Sequence, residues 1–85
     1  MAESKISPKL YFESIASASI DANGIVSLGS TNDFPEVLAV HNWYNQSGLI
    51  FRPFVSYGAW YASVVDGSNN IVRNQTANIT VVYQK

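Results

Sequence analysis

The chain has 85 residues, a mass of 9.3 kDa, a formal net charge of −1 and 13% charged residues. This length accommodates one domain, and the hydrophobic fraction of 47% excludes an intrinsically disordered tail. The five basic residues are scattered and form no stripe that would bind a nucleic-acid backbone. No apolar run is long enough to cross a bilayer, and the first residues lead into no apolar region, so we expect neither membrane insertion nor a signal peptide.

The sequence lacks the usual stabilising devices of very small proteins. It contains no cysteine and a single histidine, His41, so we expect no disulfide, no metal site and no cofactor. For a chain of this length, the free energy gained by burying apolar surface is about equal to the conformational entropy lost on folding. We therefore expect the folded chain to be stabilised by association with other chains.

Residue types and turn signals predict β-structure throughout. Asn and Ser compete with the helix backbone, whereas the Val, Ile, Tyr, Phe and Trp of this sequence suit strands. Ser7-Pro8 favours an extended N-terminal arm over residues 1–13. In residues 14–20, Ser alternates with Ala or Ile. The following Asp21-Ala22-Asn23-Gly24 predicts a hairpin turn in which Gly24 takes the left-handed conformation.

Further along the chain, Pro35 marks the start of a strand, and Pro53 places its own strand at a sheet edge or at a bulge. Asp66-Gly67-Ser68-Asn69-Asn70 predicts a second tight turn. In the last strand, alternation places Ile79, Val81 and Tyr83 on one face. The predicted strands are 14–20, 25–28, 36–43, 49–54, 57–65, 71–72 and 77–83.

These elements define the predicted fold class, which is all-β. About seven short strands with closely spaced turns are typical of a small antiparallel β-sandwich, either jelly-roll or immunoglobulin-like. The domain would span residues 14–85, leaving room for no linker and no second domain.

Catalytic patterns are weak in this sequence. A serine nucleophile would need His41 and an orienting carboxylate, but no Gly-x-Ser-x-Gly motif occurs. The Asp residues are explained equally well as turn caps, for which Asp21, Asp33 and Asp66 are well placed. We therefore predict that the chain is not an enzyme.

Neighbouring aromatic residues are the more informative feature. His41-Asn42-Trp43-Tyr44 and Tyr57-Gly58-Ala59-Trp60-Tyr61 put large rings at successive positions, so on a strand one ring of each pair must face outward. Outward rings beside polar groups suit sugar binding, and they equally suit subunit contacts. Arg52 would pair with a carboxylate or stack on an aromatic ring at such a contact. The candidate binding residues are Trp43, Tyr44, Arg52, Tyr57, Trp60 and Tyr61, with Asn42 and Asp66 as polar partners.

Four segments together resemble the C-terminal β-sandwich domains of tail-fibre, baseplate and receptor-binding proteins of bacteriophages and prophages. They are Leu49-Ile50-Phe51-Arg52-Pro53-Phe54, Gly58-Ala59-Trp60-Tyr61, Asn74-Gln75-Thr76-Ala77-Asn78-Ile79-Thr80 and Val81-Val82-Tyr83-Gln84-Lys85. The resemblance implies a homotrimeric virion module, assembled in the bacterial cytoplasm, that binds a host-surface saccharide or another virion protein.

Three functional hypotheses follow. The first is a non-enzymatic virion module for assembly and for adhesion to a host saccharide. The second is a purely structural tail or capsid decoration subunit without an external ligand. The third is a small carbohydrate-active enzyme or free-standing lectin outside any virus.

Overall fold

The computed structural model describes residues 9–43 and 48–85. Within these ranges the chain forms β-strands, turns and loops and no helix, and hence no helix that could span a membrane. The strands are β1 (Leu10–Ile20), β2 (Ile25–Ser30), β3 (Glu36–Asn42), β4 (Ile50–Ser56), β5 (Ala59–Val65) and β6 (Gln75–Gln84).

The six strands form one antiparallel sheet in the order β3-β6-β1-β2-β5-β4. The sheet curls until its two edge strands, β3 and β4, lie near one another, so the sheet is nearly closed. Alternate residues of each strand point inward and meet in a single core, because every strand has one apolar face. The largest fully buried side chains are Ile20, Val26, Val64, Ile79 and Val81.

The all-β, antiparallel prediction is confirmed, and so is the inward face of the last strand, where Ile79, Val81 and Tyr83 are buried. The strand count differs from the expected seven within the described ranges. Ile71 makes an isolated bridge to Val65 instead of a full strand, because the chain turns away again at Arg73 and Asn74. Pro53 lies in the edge strand β4, as its missing backbone donor requires.

The N-terminal strand, β1, is longer than β2, the strand to which the first hairpin joins it. β1 begins at Leu10, within the segment expected to be an extended arm, and residues 1–8 of that arm lie outside the described residues. β1 pairs with β6 along its length, from Leu10 to Ile20, whereas its register pair with β2, Ile20↔Val26, lies at the hairpin end. β1 and β2 therefore diverge away from the hairpin.

Candidate binding surfaces

The β4–β5 hairpin carries four of the predicted binding residues. Ser56 pairs with Ala59, so Tyr57 and Gly58 form a two-residue turn. Both have positive φ, 48° at Tyr57 and 75° at Gly58, which is the signature of a type I′ turn. Such turns favour Asn or Asp followed by Gly, because a bulky side chain is strained in the left-handed region.

Tyr57 combines this backbone strain with complete exposure of its side chain. A left-handed conformation costs an L-residue about 1–2 kcal/mol relative to glycine. Because the ring is fully exposed, burial of the ring within the chain does not offset this cost. Residues held in sparsely populated backbone regions are concentrated at binding sites, so the turn is a candidate contact point.

The outer face of the same hairpin presents aromatic and basic groups. Phe54 and Tyr61 are paired across the two strands, with stacked rings whose centroids lie 5.6 Å apart at 28°. Arg52 faces the same side, opposite Ser63, and its side chain is exposed. The outer face of the hairpin therefore carries two stacked rings with a guanidinium group two residues along the strand.

Trp60 points to the other side of the hairpin. It lies opposite Val55 on β4 and Gly29 on β2, and its side chain packs against the core. The structure thus separates Trp60 from Tyr61 as the alternation of a strand requires, one ring inward and one outward. The Trp60 indole N–H is buried and has no hydrogen-bond acceptor among the described residues.

Two more predicted residues, Asn42 and Trp43, lie at the opposite end of the sheet. Trp43 follows β3, its side chain is exposed, and its backbone N–H donates to the Asn78 carbonyl at 2.8 Å. Asn42 is half-buried at the end of β3, opposite Ile79. Tyr44 lies outside the described residues.

Asp66 is engaged in its own loop at this end. Its Oδ1 accepts the backbone N–H groups of Ser68 at 2.8 Å and Asn70 at 2.9 Å. These hydrogen bonds hold the pKa of the Asp66 carboxyl below its ordinary value of 3.8. The bond from Asn70 has the larger effect on the pKa, and the bond from Ser68 has the next largest. The predicted site residues therefore divide between the hairpin and the far end, and the structure does not bring all of them together.

A cleft that the sequence analysis did not predict opens where β1 and β2 diverge, with a volume of about 490 Å³. Phe34 and Tyr83 form part of its wall, in edge-to-face contact at 4.7 Å between centroids. Polar groups of Glu13, Asn32, Asp33 and Lys85 line it as well. One sequence signal was available: Glu13 interrupts the alternation of Tyr11 and Ile15, which puts a carboxylate on the inward side of β1.

A further surface that sequence reasoning missed lies on the outer face of β1, β6 and β3. Phe12, Val82 and Ala39 form one row across the three strands. Phe12 is 66% exposed, and Leu10 beside it is 53% exposed. Exposed apolar side chains grouped in this way mark interaction surfaces in soluble proteins.

Comparison with protein-family models, with curated proteins and with solved structures finds no match for this chain.

Proposed function

We propose that the chain is a non-enzymatic bacteriophage virion module, of the tail, baseplate or fibre, that assembles with other chains and adheres to a host-surface saccharide. The observation that carries the binding role is Tyr57, a fully exposed ring on a strained backbone at the tip of a hairpin. Backbone strain of this kind is concentrated at functional sites, which supports a role for the Tyr57 side chain in contacts outside the fold.

The chemistry of the hairpin supports a saccharide as the ligand. Sugar rings have apolar faces that stack on aromatic side chains and hydroxyl groups that accept or donate hydrogen bonds. The Phe54–Tyr61 stack supplies a ring surface, and Arg52 supplies directional donors on the same face. Tyr57 projects from the tip, where it can contact a ligand without displacing any neighbour.

A purely structural role is the second candidate function. It is favoured by the apolar row of the exposed Phe12 and the half-buried Val82 and Ala39, because such a row suits a permanent contact between chains more than a polar ligand. Both candidates require self-association or association with another virion protein. A saccharide-binding measurement distinguishes the two candidate functions, since a purely structural subunit would bind no saccharide.

The virion assignment, the trimer and the sandwich architecture are parts of this proposal that rest on the resemblance to phage tail proteins. For the sandwich, the halves β3-β6-β1 and β2-β5-β4 are joined through a short β1–β2 ladder and contribute to one core. Two facing half-sheets linked in this way would behave as a small sandwich.

The test compares Tyr57→Asn with the unmodified protein on a glycan array and on purified bacterial cell-wall polysaccharide. Asn tolerates the left-handed backbone, so the variant removes the ring and keeps the turn. Leu38→Ser serves as the matched control, because Leu38 is an exposed apolar residue of β3 and not part of the β4–β5 hairpin.

We expect the unmodified chain and the control to bind polysaccharide and Tyr57→Asn to lose about tenfold in affinity, equivalent to about 1.4 kcal/mol. Binding that is unchanged in Tyr57→Asn would show that the hairpin tip is not the site. A protein that associates but binds no saccharide would overturn adhesion and leave the structural role.

A further inference from the structure

We propose that the free edge of β1 pairs antiparallel with β1 of a second copy, about a two-fold axis at Tyr11. This inference deepens the proposed function, since it rests on the assembly role and identifies the surface and the partner. It predicts a dimer in place of the trimer that the resemblance implies.

The edge is open because β2 separates from β1 beyond the hairpin. Ile20↔Val26 is the register pair between the two strands, although β2 continues to Ser30. The residues of β1 from Leu10 to Ile15 pair with β6 on one side and with no described strand on the other. Alternate backbone N–H and C=O groups of this stretch therefore point away from the sheet, ready to pair with another strand.

The open stretch is protected near its ends and not at its centre. Natural proteins blunt edges with charged residues, bulges, proline or a covering loop, and here Lys9 and Glu13 are charged and a bulge lies further along β1. Between the two charged residues, Leu10 and Phe12 project from the edge and are both more than half exposed. Tyr11, between them, turns its ring inward and stacks on Tyr83 at 5.5 Å between centroids, so it does not obstruct the edge.

The sequence of the edge selects one register of self-pairing. With the axis at Tyr11, Leu10 lies opposite Phe12 of the second copy, and Lys9 lies opposite Glu13 of the second copy. Each contact occurs twice, and every pair is either apolar or of opposite charge. An axis at Glu13 would instead place the two glutamates against each other, and an axis at Phe12 would give no charge pair.

The faces of the sheet agree with this register. A two-fold axis perpendicular to the sheet keeps the outer face of one copy continuous with the outer face of the other. Leu10 and Phe12 share the outer face with Val82, so the apolar row of one copy continues into that of the second. Lys9 and Glu13 share the opposite face by alternation, where the cleft admits solvent.

The first test is a charge reversal followed by sedimentation over a range of micromolar concentrations. We expect the unmodified chain to be a dimer and Glu13→Lys or Lys9→Glu alone to raise the dimer Kd about tenfold, as like charges meet twice. The double variant carrying both changes should restore the dimer. Glu36→Lys, on the exposed start of β3, is the matched control and should leave the dimer unchanged.

A second test uses the absence of cysteine from the natural sequence. Tyr11→Cys places two thiols on the axis, so mild oxidation should join two chains covalently, since directly opposite Cβ atoms lie near disulfide distance. Phe12→Cys alone should form much less cross-linked product, whereas a mixture of Leu10→Cys and Phe12→Cys chains should form it readily.

The outcomes separate this inference from the proposed function. A trimer, or charge variants that the double change does not rescue, would overturn the β1 pairing and leave the assembly role intact. A folded monomer at these concentrations would overturn both the pairing and self-association, and would leave only association with another virion protein. Saccharide binding through Tyr57 is measured independently and does not depend on either result.

Discussion

Two hairpin turns in the described part of the chain, Asp21–Gly24 and Tyr57–Gly58, are built in opposite ways. At Asp21–Gly24, Asp21 Oδ1 accepts the backbone N–H groups of Asn23 at 2.8 Å and Ile25 at 2.9 Å. Gly24 is buried there, and its carbonyl accepts the Val64 N–H at 2.9 Å. At the Tyr57–Gly58 turn, both residues are exposed, and one loop contact is formed, in which the Thr31 N–H donates to the Gly58 carbonyl at 3.0 Å.

The difference shows which turn serves the fold and which is free to serve a ligand. In the first turn, side chain, backbone and glycine act together to start β2 and to anchor β5 beside it. In the second, a strained Tyr57 stands where an Asn would be more stable. Substitutions in the first turn should therefore cost stability, while replacing Tyr57 in the second by a residue that tolerates positive φ should gain it.

The largest effect is expected for Gly24→Ala. The residue has φ +77°, and a Cβ there would meet the Ile71 side chain and lie 3.0 Å from the Val72 carbonyl oxygen. Backbone strain and overpacking together should lower the free energy of unfolding by about 2–4 kcal/mol.

Urea unfolding would measure the loss. Gly58→Ala is the matched control, because its φ is +75° but a Cβ there would meet nothing within 4 Å. The control should lose about 1–2 kcal/mol. Equal losses at both positions would mean that the contact with Ile71 and Val72 is unimportant.

The next effect concerns the carboxylate of the first turn. Asp21→Ala leaves the Asn23 and Ile25 N–H groups without their side-chain acceptor. We expect a loss of about 1–2 kcal/mol, as for the removal of a capping residue, measured by thermal or urea unfolding. Asp21→Asn keeps an acceptor oxygen and should recover most of it. If the two variants were equally unstable, the charge and not the hydrogen bonds would be responsible.

A smaller effect, of opposite sign, is expected at the exposed tip. Tyr57→Asn should raise the free energy of unfolding by about 0.5–1 kcal/mol, because Asn tolerates positive φ and no buried contact is lost. The gain should appear as a higher urea midpoint with an unchanged slope. A loss of stability would mean that the Tyr57 ring packs on the protein in solution.

The smallest effect concerns Asp66. Its Oδ1 accepts the backbone N–H groups of the second and fourth residues after it, as the Oδ1 of Asp21 does. Since these bonds keep the folded-state pKa below the ordinary value of 3.8, the group contributes stability above that pH. This contribution should be lost as the pH falls through the lower, folded-state pKa. An NMR titration should give an Asp66 midpoint below 3.8, and Asp66→Asn should remove this part of the pH dependence. A midpoint at or above 3.8 would contradict the hydrogen bonds.

Local signals in the sequence predicted much of this fold. Asp21-Ala22-Asn23-Gly24 placed the first hairpin because Asp, Asn and Gly each favour turn geometry for their own reasons. Pro53 indicated an edge strand because it cannot donate a ladder hydrogen bond. The turn at Tyr57–Gly58 was missed, and the predicted strand began at Tyr57, because a tyrosine in the left-handed region runs against its own preference.

The candidate surfaces were less predictable. The sequence alone determined the alternation of inward and outward side chains, as at Trp60 and Tyr61, because a strand's period of two is local. Only the tertiary structure decided that β2 separates from β1 beyond the hairpin, which opens the cleft beside Glu13 and leaves Leu10 and Phe12 on a free edge. Strand order and register depend on contacts between residues far apart in the chain, and those contacts are absent from any short stretch of sequence.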